Sequence, residues 1–256
     1  MSAPDSGVVT ARKVAIIAAM EREVPLLVKL WKRVEREHDG RRFIFYEGEL
    51  AVLICGGIGP IFARRATEAA IAIYRCPLVV SAGFAGALVP NLKVGQTVFP
   101  TSVKNAYDGS RFETVVGDTA VGKTELAKCI LVSFLGVADR EQKASLAEAY
   151  GAQVVDMEAA AVAQRAEARN VPFMAAKAIS DELDLAMPPM DQFVKEDGQF
   201  STFRFMVHVL PRPRFWLPML RLARNSRKAA HSLCLWLGND VLWTTMTLRV
   251  FARQEP

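Results

Sequence analysis

The stretch VVDMEAAAVAQRAEARNVPFMAAKAISD, residues 154–181, decides the fold class. Its alanine-rich part, Asp156–Asn170, is predicted to form a helix, and the apolar run Phe173–Ile179 is predicted to form a strand that ends at Ser180 and Asp181. A strand that is apolar throughout, rather than at alternate positions, is buried on both faces of its sheet. This helix–strand unit therefore predicts a sheet covered by helices on both sides.

Short apolar segments and helical segments alternate along the rest of the chain. The predicted strands are Val14–Ala19, Phe43–Leu50, Ala51–Cys55, Leu78–Ala82 and Gly95–Pro100. The predicted helices are Glu21–Arg33 and Ile61–Tyr74, with weaker helical or mixed segments at Lys123–Phe134 and Lys143–Tyr150. Such alternation is typical of an α/β domain.

The composition excludes several classes of protein. Of the 256 residues, 51% are hydrophobic and 23% are charged, which excludes wholesale disorder. The four cysteines are far apart and form no C-x-x-C pair, so we expect neither a disulfide framework nor a metal site. The N-terminus lacks the apolar core of a signal peptide, and no apolar run is long enough to span a membrane. We therefore expect a cytoplasmic protein without a cofactor.

The basic charge is concentrated in the C-terminal part of the chain. Residues 201–256 carry nine Lys and Arg against two acidic residues, whereas residues 1–200 carry 23 against 25. At about 100° per residue, one face of a helix beginning near Arg214 collects the apolar side chains Trp216, Met219, Leu222, Ala223, Ala230, Leu233 and Leu237. The opposite face is basic, and Pro218 is expected to interrupt this helix near its start. The predicted division is a flexible N-terminus (1–12), an α/β domain (13–200) and a basic, aromatic helical extension (201–256).

This extension has two interpretations. A cationic amphipathic helix with tryptophans suits the surface of an anionic bilayer, so residues 203–237 are a candidate contact with the inner face of the membrane. Alternatively, the apolar face packs on the core or on an oligomer partner. No nucleic-acid-binding motif accompanies the charge, so nucleic acid is not an expected partner.

Acidic residues stand at the ends of predicted buried elements. Glu23 follows the first strand, Asp156 and Glu158 open the alanine-rich helix, and Asp181 ends a strand. Ligands bind at the carboxyl ends of the strands of an open α/β sheet, so Glu23 and Asp181 are predicted to face one crevice. Each acid also has a local interpretation, as a first-turn helix acid for Glu23, an N-cap for Asp156 and a turn residue for Asp181.

Several motifs together resemble a known family. They are IIAAMEREV (16–24), GGIG (56–59), SAGFAGAL (81–88) with LKVGQTV (92–98), VVDMEAAAVA (154–163) and AISDELD (178–184). Their order and spacing are similar to those of the nucleoside phosphorylase superfamily, and most similar to its 5′-methylthioadenosine/S-adenosylhomocysteine nucleosidase branch. The resemblance covers roughly residues 13–184. It implies a single three-layer α/β domain, in which helices flank a twisted mixed sheet, and assembly as a homodimer or a higher oligomer.

The resemblance also implies catalytic residues. Cleavage of the N-glycosidic bond of a purine nucleoside passes through an oxocarbenium-like sugar, so the leaving base must be protonated and a water must be held beneath the anomeric carbon. By the resemblance, Asp181 would be the general acid that protonates N7 of adenine, and Ser180 would fix its orientation. Glu23 would hold and deprotonate the attacking water.

Substrate-binding residues follow from the same resemblance. Glu158 would accept hydrogen bonds from the ribose hydroxyls, which strengthen as the ring becomes positive. Met157 would pack against the sugar face, although an ordinary place in the helix core is the alternative for this residue. Phe84, Ala85 and Gly86 of the SAGFAGAL segment would line the substrate pocket.

The choice between hydrolysis and phosphorolysis depends on the SAGFAGAL segment. Phosphorylase relatives resemble R-x-G-S there, with an arginine and a serine that grip phosphate. Ser81 and Phe84 stand at those two positions, so the arginine is missing and a ring replaces the serine. Arg64 and Arg65 on the preceding predicted helix could substitute, but solvent-facing helix arginines are the simpler interpretation. Water is therefore the expected nucleophile, and the chain is expected to be a nucleosidase, with phosphorolysis as the alternative.

Departures from the pattern bear on the substrate. Phe84 also replaces a small residue of the nucleosidases, the segment that resembles SGDAFI has no clean counterpart around Ser133–Arg140, and Asp156 stands where glutamate is usual. The C-terminal part departs most, and it is similar to the hopanoid-associated branch, whose members are thought to remove adenine from adenosylhopane. A 5′-substituted adenosine, with adenosylhopane among the candidates, is therefore the expected substrate.

A second class of function stays open, namely a non-catalytic nucleoside-binding or membrane-associated protein that keeps the fold. The presence of Glu23 together with Asp181 favours catalysis, because a binding protein needs neither a water-activating base nor a base-protonating acid.

Overall fold

The computed structural model describes residues 13–115, 129–183, 193, 198, 201, 212 and 216–238. The strands are β1 (Val14–Ala18), β2 (Lys32–His38), β3 (Arg41–Glu47), β4 (Ala51–Cys55), β5 (Val79–Ala87), β6 (Thr97–Val98), β7 (Ser102–Asn105), β8 (Arg111–Glu113), β9 (Ile130–Ser133), β10 (Val154–Asp156) and β11 (Phe173–Asp181). The helices are α1 (Pro25–Leu30), α2 (Pro60–Tyr74), α3 (Arg140–Tyr150), α4 (Ala159–Ala168) and α5 (Trp216–Leu237), and a 3-10 turn spans Glu21–Glu23.

The strands form one mixed sheet in the order β2-β3-β4-β1-β5-β10-β9-β7-β8, with β11 paired to β5 and to β6. Strand β5 is central, because β1 and β11 run parallel to it and β10 runs antiparallel to its last residues. The register between β5 and β11 shifts between Ile179 and Asp181, so that Asp181 lies opposite Gly86. An irregularity of this kind re-aims the side chains at the end of a strand.

Helices cover both faces of the sheet, which confirms the predicted α/β class. Helices α2 and α4 pack on one face through small side chains, including Ala63, Ala66, Ala70, Ala160 and Ala163. Helices α1 and α5 pack on the other face through Leu27, Ala229, Leu233 and Leu237. Helix α3 closes a smaller cluster against β9 and β10 through Leu146. Alanines on α2 and α4 let these helices lie close to the strands, since a small side chain shortens the distance between packed elements.

Helix α5 is continuous from Trp216 to Leu237, so Pro218 does not interrupt it. The proline lies in the first turn, where its missing N–H has no partner within the helix to lose. One face of the C-terminal half of α5 is buried, and Trp236 lies 4.6 Å from Phe99 between ring centroids. The part of the extension that the structure describes thus packs on the core, as one of the two interpretations expects. The division of the chain at residue 200 stays a prediction.

Two predicted helices are corrected, and strand β2 lies where no strand was predicted. The helix predicted at Glu21–Arg33 is a 3-10 turn followed by the short α1, and the chain then enters β2 at Lys32. Strand β2 has an exposed, charged sequence with no pattern typical of a strand. Its antiparallel pairing with β3 stabilises it. Asp156 ends β10 and does not belong to helix α4, because β9 pairs with it through the whole of β10.

Other predicted segments fall partly outside the described residues. This applies to Lys123–Phe134, whose described end is β9, and to the residues of the extension before Trp216. The N-terminal segment 1–12 lies outside them altogether. Within the part of the chain that the structure describes, no helix is both long enough and apolar enough to cross a membrane.

Candidate active site

The candidate site lies where β1, β5 and β11 end. The chain leaves β1 and turns at once through the 3-10 turn that carries Glu23, while β11 ends on Ser180 and Asp181. Both acids approach glycines of β5. A Cβ built on Gly83 would lie 3.1 Å from Glu23 Oε2, and a Cβ built on Gly86 would lie 2.9 Å from Asp181 Oδ2. Two glycines of one strand therefore make room for the two acids.

Glu23 is 5% exposed and is held by the backbone of the turn. Its Oε2 accepts hydrogen bonds from the N–H groups of Ala19, at 3.0 Å, and Met20, at 3.2 Å. Burial raises the pKa of Glu23, and the ammonium of Lys177 and these two N–H groups oppose the rise. Both of these hydrogen bonds are on Oε2.

Lys177 lies at the centre of a cluster of acidic side chains. Its side chain is 2% exposed in the middle of β11, and Nζ lies 2.8 Å from Asp156 Oδ2 and 3.0 Å from Ser81 Oγ. Desolvation lowers the pKa of Lys177, but the carboxylates of Asp156, Glu158 and Glu23 outweigh it, so the net pKa is raised. Lys177 is therefore a buried ammonium ion with Asp156, Glu158 and Glu23 around it.

Asp156 pairs with Lys177, and both of its carboxylate oxygens accept hydrogen bonds. Its Oδ1 accepts a 2.6 Å hydrogen bond from Ser133 Oγ, and its Oδ2 accepts one from the N–H of Ala159 at 2.9 Å. The N-cap interpretation of Asp156 is thus correct in part, because Ala159 is the first residue of α4. The same carboxylate also neutralises the lysine.

Glu158 lies beside this pair, with Oε1 accepting a 2.9 Å hydrogen bond from the N–H of Gly59. Desolvation raises the pKa of Glu158, the neighbouring Asp156 raises it further, and Lys177 and the Gly59 N–H oppose them. Met157 precedes it and is half-buried. A carboxyl group with one anchored oxygen and one remaining oxygen is suited to accept hydrogen bonds from hydroxyl groups.

Asp181 has a donor on each oxygen. Ser180 Oγ donates to Oδ1 at 2.8 Å and lies 3.5 Å from the carbonyl oxygen of Ala85. Lys143 Nζ, from α3, lies 2.5 Å from Oδ2. The pair is buried, with 2% of the Lys143 side chain and 13% of the Asp181 side chain exposed. The hydrogen bond from Ser180 to Asp181 is consistent with the expectation that Ser180 orients this carboxylate.

The residues expected to line the pocket fall on both faces of β5. Ala85 is buried in the cluster beneath α2 and α4, whereas Phe84 packs at the edge of the cluster beneath α1 and α5. Successive side chains of a strand point to opposite faces, which accounts for the separation. The binding roles of Phe84, Ala85 and Gly86 stay predictions.

Reasoning from the sequence missed both lysines of the site. Lys177 had a visible signal, because a lysine in the middle of an apolar strand must be paired if the strand is buried on both faces. Lys143 had a weaker signal, since it falls on the same buried side of α3 as Leu146. Among the residues that the structure describes, no group of three or more His, Cys, Asp or Glu side chains is arranged to hold a metal ion.

The fold and the site together define an α/β protein with buried carboxylates and lysines at the carboxyl ends of its central strands. The family model described as the phosphorylase superfamily matches residues 13–129 and 114–202. The chain belongs to the phosphorylase superfamily.

Individual relatives narrow the comparison. The chain is 31% identical to the 5′-methylthioadenosine/S-adenosylhomocysteine nucleosidase of Haemophilus ducreyi over 201 residues, which cover 67% of this chain and 86% of that protein. It is 27% identical to the aminodeoxyfutalosine nucleosidase of Campylobacter jejuni over 217 residues, covering 74% and 94% of the two proteins. The crystal structure of the 5′-methylthioadenosine/S-adenosylhomocysteine nucleosidase of Neisseria meningitidis in complex with methylthio-immucillin-A has the same fold, with a TM-score of 0.63 at 22% identity over 87% of this chain and 95% of that one.

Proposed function

We propose that this protein is a nucleosidase that hydrolyses the N-glycosidic bond of a 5′-substituted adenosine and releases adenine. The observation that carries the proposal is the placement of Glu23 and Asp181 against two glycines of one strand, with Lys177, Asp156 and Glu158 beside them. The nucleosidase relatives support the same reaction class.

Each acidic side chain then has a step in the reaction. Glu23 accepts the proton of the attacking water as the water oxygen bonds to C1′. Glu158 accepts hydrogen bonds from the ribose hydroxyls, and these hydrogen bonds strengthen as positive charge grows on the sugar. Asp181 gives a proton to N7 as the C1′–N9 bond breaks, so that the base leaves as neutral adenine. Met157 packs against the sugar.

Water is favoured over phosphate by the charges around Lys177. This ammonium is surrounded by Asp156, Glu158 and Glu23, and a phosphate dianion would have to enter among these carboxylates. The arginines that could bind phosphate instead lie on the surface of α2. Arg64 donates to Gln164 Oε1 at 3.1 Å, and the guanidinium of Arg65 lies 5.9 Å from the ring centroid of Phe62.

The exposed face of α5 supports contact with an anionic membrane surface, with a lipid-linked adenosine such as adenosylhopane as the candidate substrate. Leu217, Leu220 and Leu235 are 59%, 68% and 62% exposed, although the opposite face of the same helix is buried in the core. At about 100° per residue they share an arc with four exposed basic residues, Arg221, Arg224, Arg227 and Lys228. Exposed leucines interleaved with basic side chains are typical of a helix that lies at an anionic interface.

Membrane contact is tested by sedimentation of the protein with vesicles of phosphatidylglycerol and phosphatidylcholine, compared with pure phosphatidylcholine. We expect binding to the anionic vesicles, weakened by salt and by Leu217→Glu combined with Leu220→Glu. The matched control is Leu135→Glu, which changes another exposed leucine away from α5. Equal binding of the α5 variant and the wild type would assign the exposed leucines to another role. A homodimer is also proposed from the resemblance, and light scattering measures it directly.

The proposed reaction is tested by adenine release from 5′-methylthioadenosine, S-adenosylhomocysteine and a lipid-linked adenosine, each with and without phosphate. We expect release without phosphate, and the preferred substrate identifies the 5′ group. Asp181→Asn should bind substrate with little change in affinity but lose turnover by a factor of at least about 100. Strict dependence on phosphate would establish phosphorolysis instead, and no release from any of the three would favour the non-catalytic alternative.

A further inference from the structure

The buried ion pair between Lys143 and Asp181 joins helix α3 to the proposed general acid. Lys143 Nζ lies 2.5 Å from Asp181 Oδ2 and donates to the carbonyl oxygen of Glu182 at 3.0 Å. The residue is 2% exposed. The two lysine contacts span 38 and 39 residues of sequence, so the tertiary fold alone brings the lysine to the end of β11.

No other charged group competes for this lysine in the described part of the chain. The neighbouring residues of the sheet at this place are uncharged. A Cβ built on Gly86 of β5 would lie 3.4 Å from Lys143 Cε and 3.2 Å from Cγ1 of Val155 in β10. The carboxylate of Glu182 is turned away, towards Lys93 Nζ at 3.3 Å and the N–H of Val94 at 3.3 Å. Asp181 is therefore the acid that faces the ammonium.

The pair creates a problem for an acid at this position. An ionised carboxylate that accepts hydrogen bonds on both oxygens has no proton to give to a leaving base. Its two donors are Ser180 Oγ and Lys143 Nζ, and of these the ammonium can release a proton and remain a neutral amine. Apolar residues of similar volume often stabilise a protein as well as a buried ion pair does, or better. Stability alone therefore does not explain why a lysine is buried at position 143.

We propose that Lys143 is a positioning residue that holds Asp181 and returns a proton to it in every turnover. The inference rests on the proposed function. When substrate is bound, the shared proton moves from Nζ to Oδ2, and the carboxyl proton passes to N7 as the C1′–N9 bond breaks and its electron pair stays with the base. The water oxygen bonds to C1′ and its proton goes to Glu23. Lys143 then takes a proton from solvent and Glu23 releases one, so the reaction consumes one water and no net proton.

This role requires lysine and not arginine. Arginine would keep the positive charge and the hydrogen bonds to Asp181, but a guanidinium is not deprotonated in proteins. Lys143→Arg therefore keeps Asp181 in place but cannot return a proton to it. Lys143→Met can do neither.

The test measures kcat and KM for adenine release between pH 5 and 10, with the substrate that the wild type prefers. We expect kcat to fall by about 100-fold in Lys143→Met with KM within about threefold of the wild type, because general acid catalysis contributes factors of this order. The kcat profile of Lys143→Met should also differ from that of the wild type at alkaline pH, because only the wild type has an ammonium beside Asp181. Lys143→Arg should lose kcat to a similar degree.

The matched control is Lys104→Met. Lys104 donates to the carbonyl oxygen of Tyr150, at the other end of the same helix, and does not contact Asp181. We expect its kcat and pH profile to match those of the wild type. Should Lys143→Met fail to fold, the profile of Lys143→Arg decides the question.

Two results would overturn the inference. Wild-type kcat in Lys143→Arg would mean that charge and position suffice, and an unchanged pH profile in a folded Lys143→Met would mean that Asp181 draws its proton from elsewhere. Both require an active wild type. A wild type that releases no adenine from any substrate would instead overturn the proposed function, so the two failures are distinguishable.

Discussion

Replacing Lys177 by methionine breaks its buried ion pair with Asp156 and tests how much this pair contributes to the free energy of unfolding. The side chains of Lys177 and Asp156 are 2% and 0% exposed, and their charged atoms are 2.8 Å apart. Methionine has a similar length, so the main effect is to leave the carboxylate of Asp156 buried without its cation. Removal of one partner from a buried pair costs about 3–5 kcal/mol. For a domain of this size, 1 kcal/mol shifts Tm by roughly 2–4 °C, so Tm should fall by roughly 6–20 °C.

The measurement is urea and thermal unfolding at pH 7, with two further variants. Lys93→Met breaks the exposed pair with Glu182, whose side chains are 61% and 41% exposed, and it should cost less than about 1 kcal/mol. Lys177→Met combined with Asp156→Asn removes both charges while keeping a carbonyl oxygen for the N–H of Ala159. Since the double variant also removes the carboxylate that is paired directly with Lys177, it should recover part of the lost stability, while Glu158 and Glu23 remain without the lysine.

The same substitution changes the pH dependence of activity. Lys177 lowers the pKa of Glu23 against the effect of burial, so its loss should raise that pKa further. A base must be ionised to accept a proton, and the acid limb of kcat/KM should therefore move to higher pH.

The unfolding measurements can refute the assignment of the ion pair. They do so if Lys177→Met lowers the free energy of unfolding by less than about 1 kcal/mol, or if the double variant is no more stable than Lys177→Met.

Two further substitutions probe the acids themselves. Glu23→Gln should lower kcat by a factor of about 100 to 10,000, measured as adenine release. Because burial raises the pKa of Glu23 above its ordinary value of 4.5, the folded state of the wild type should lose stability relative to this variant as pH rises above that value; parallel pH profiles of Tm would contradict this. Gly86→Ala places a methyl group 2.9 Å from Asp181 Oδ2 and should displace the carboxylate, so kcat should fall about 100-fold. The control Gly109→Ala has nothing within 4 Å of its Cβ but has a φ of +73°, so it should lower stability through backbone strain and leave kcat unchanged.

Much of the sheet could be predicted from local pattern. Strands β1, β4 and β11 and helix α2 begin and end within about two residues of their predicted bounds, because long apolar runs and alanine-rich segments have few alternatives. Strand β2 could not be predicted, since its sequence is charged and its stability comes from pairing with β3. The fold class and the placement of Glu23 and Asp181 at strand ends were accessible from the sequence, although their catalytic roles rest on the resemblance.

The sequence by itself determined the alternation of buried strands with helices, the position of the acids and the amphipathic character of α5, because each depends on residues that are neighbours along the chain. Only the tertiary structure decided which lysine meets which acid. Lys177 of β11 meets Asp156 at the end of β10, and Lys143 of α3 meets Asp181 at the end of β11. Ion pairs of this kind depend on strand register and helix packing, which are set by burial over the whole domain and leave no local pattern.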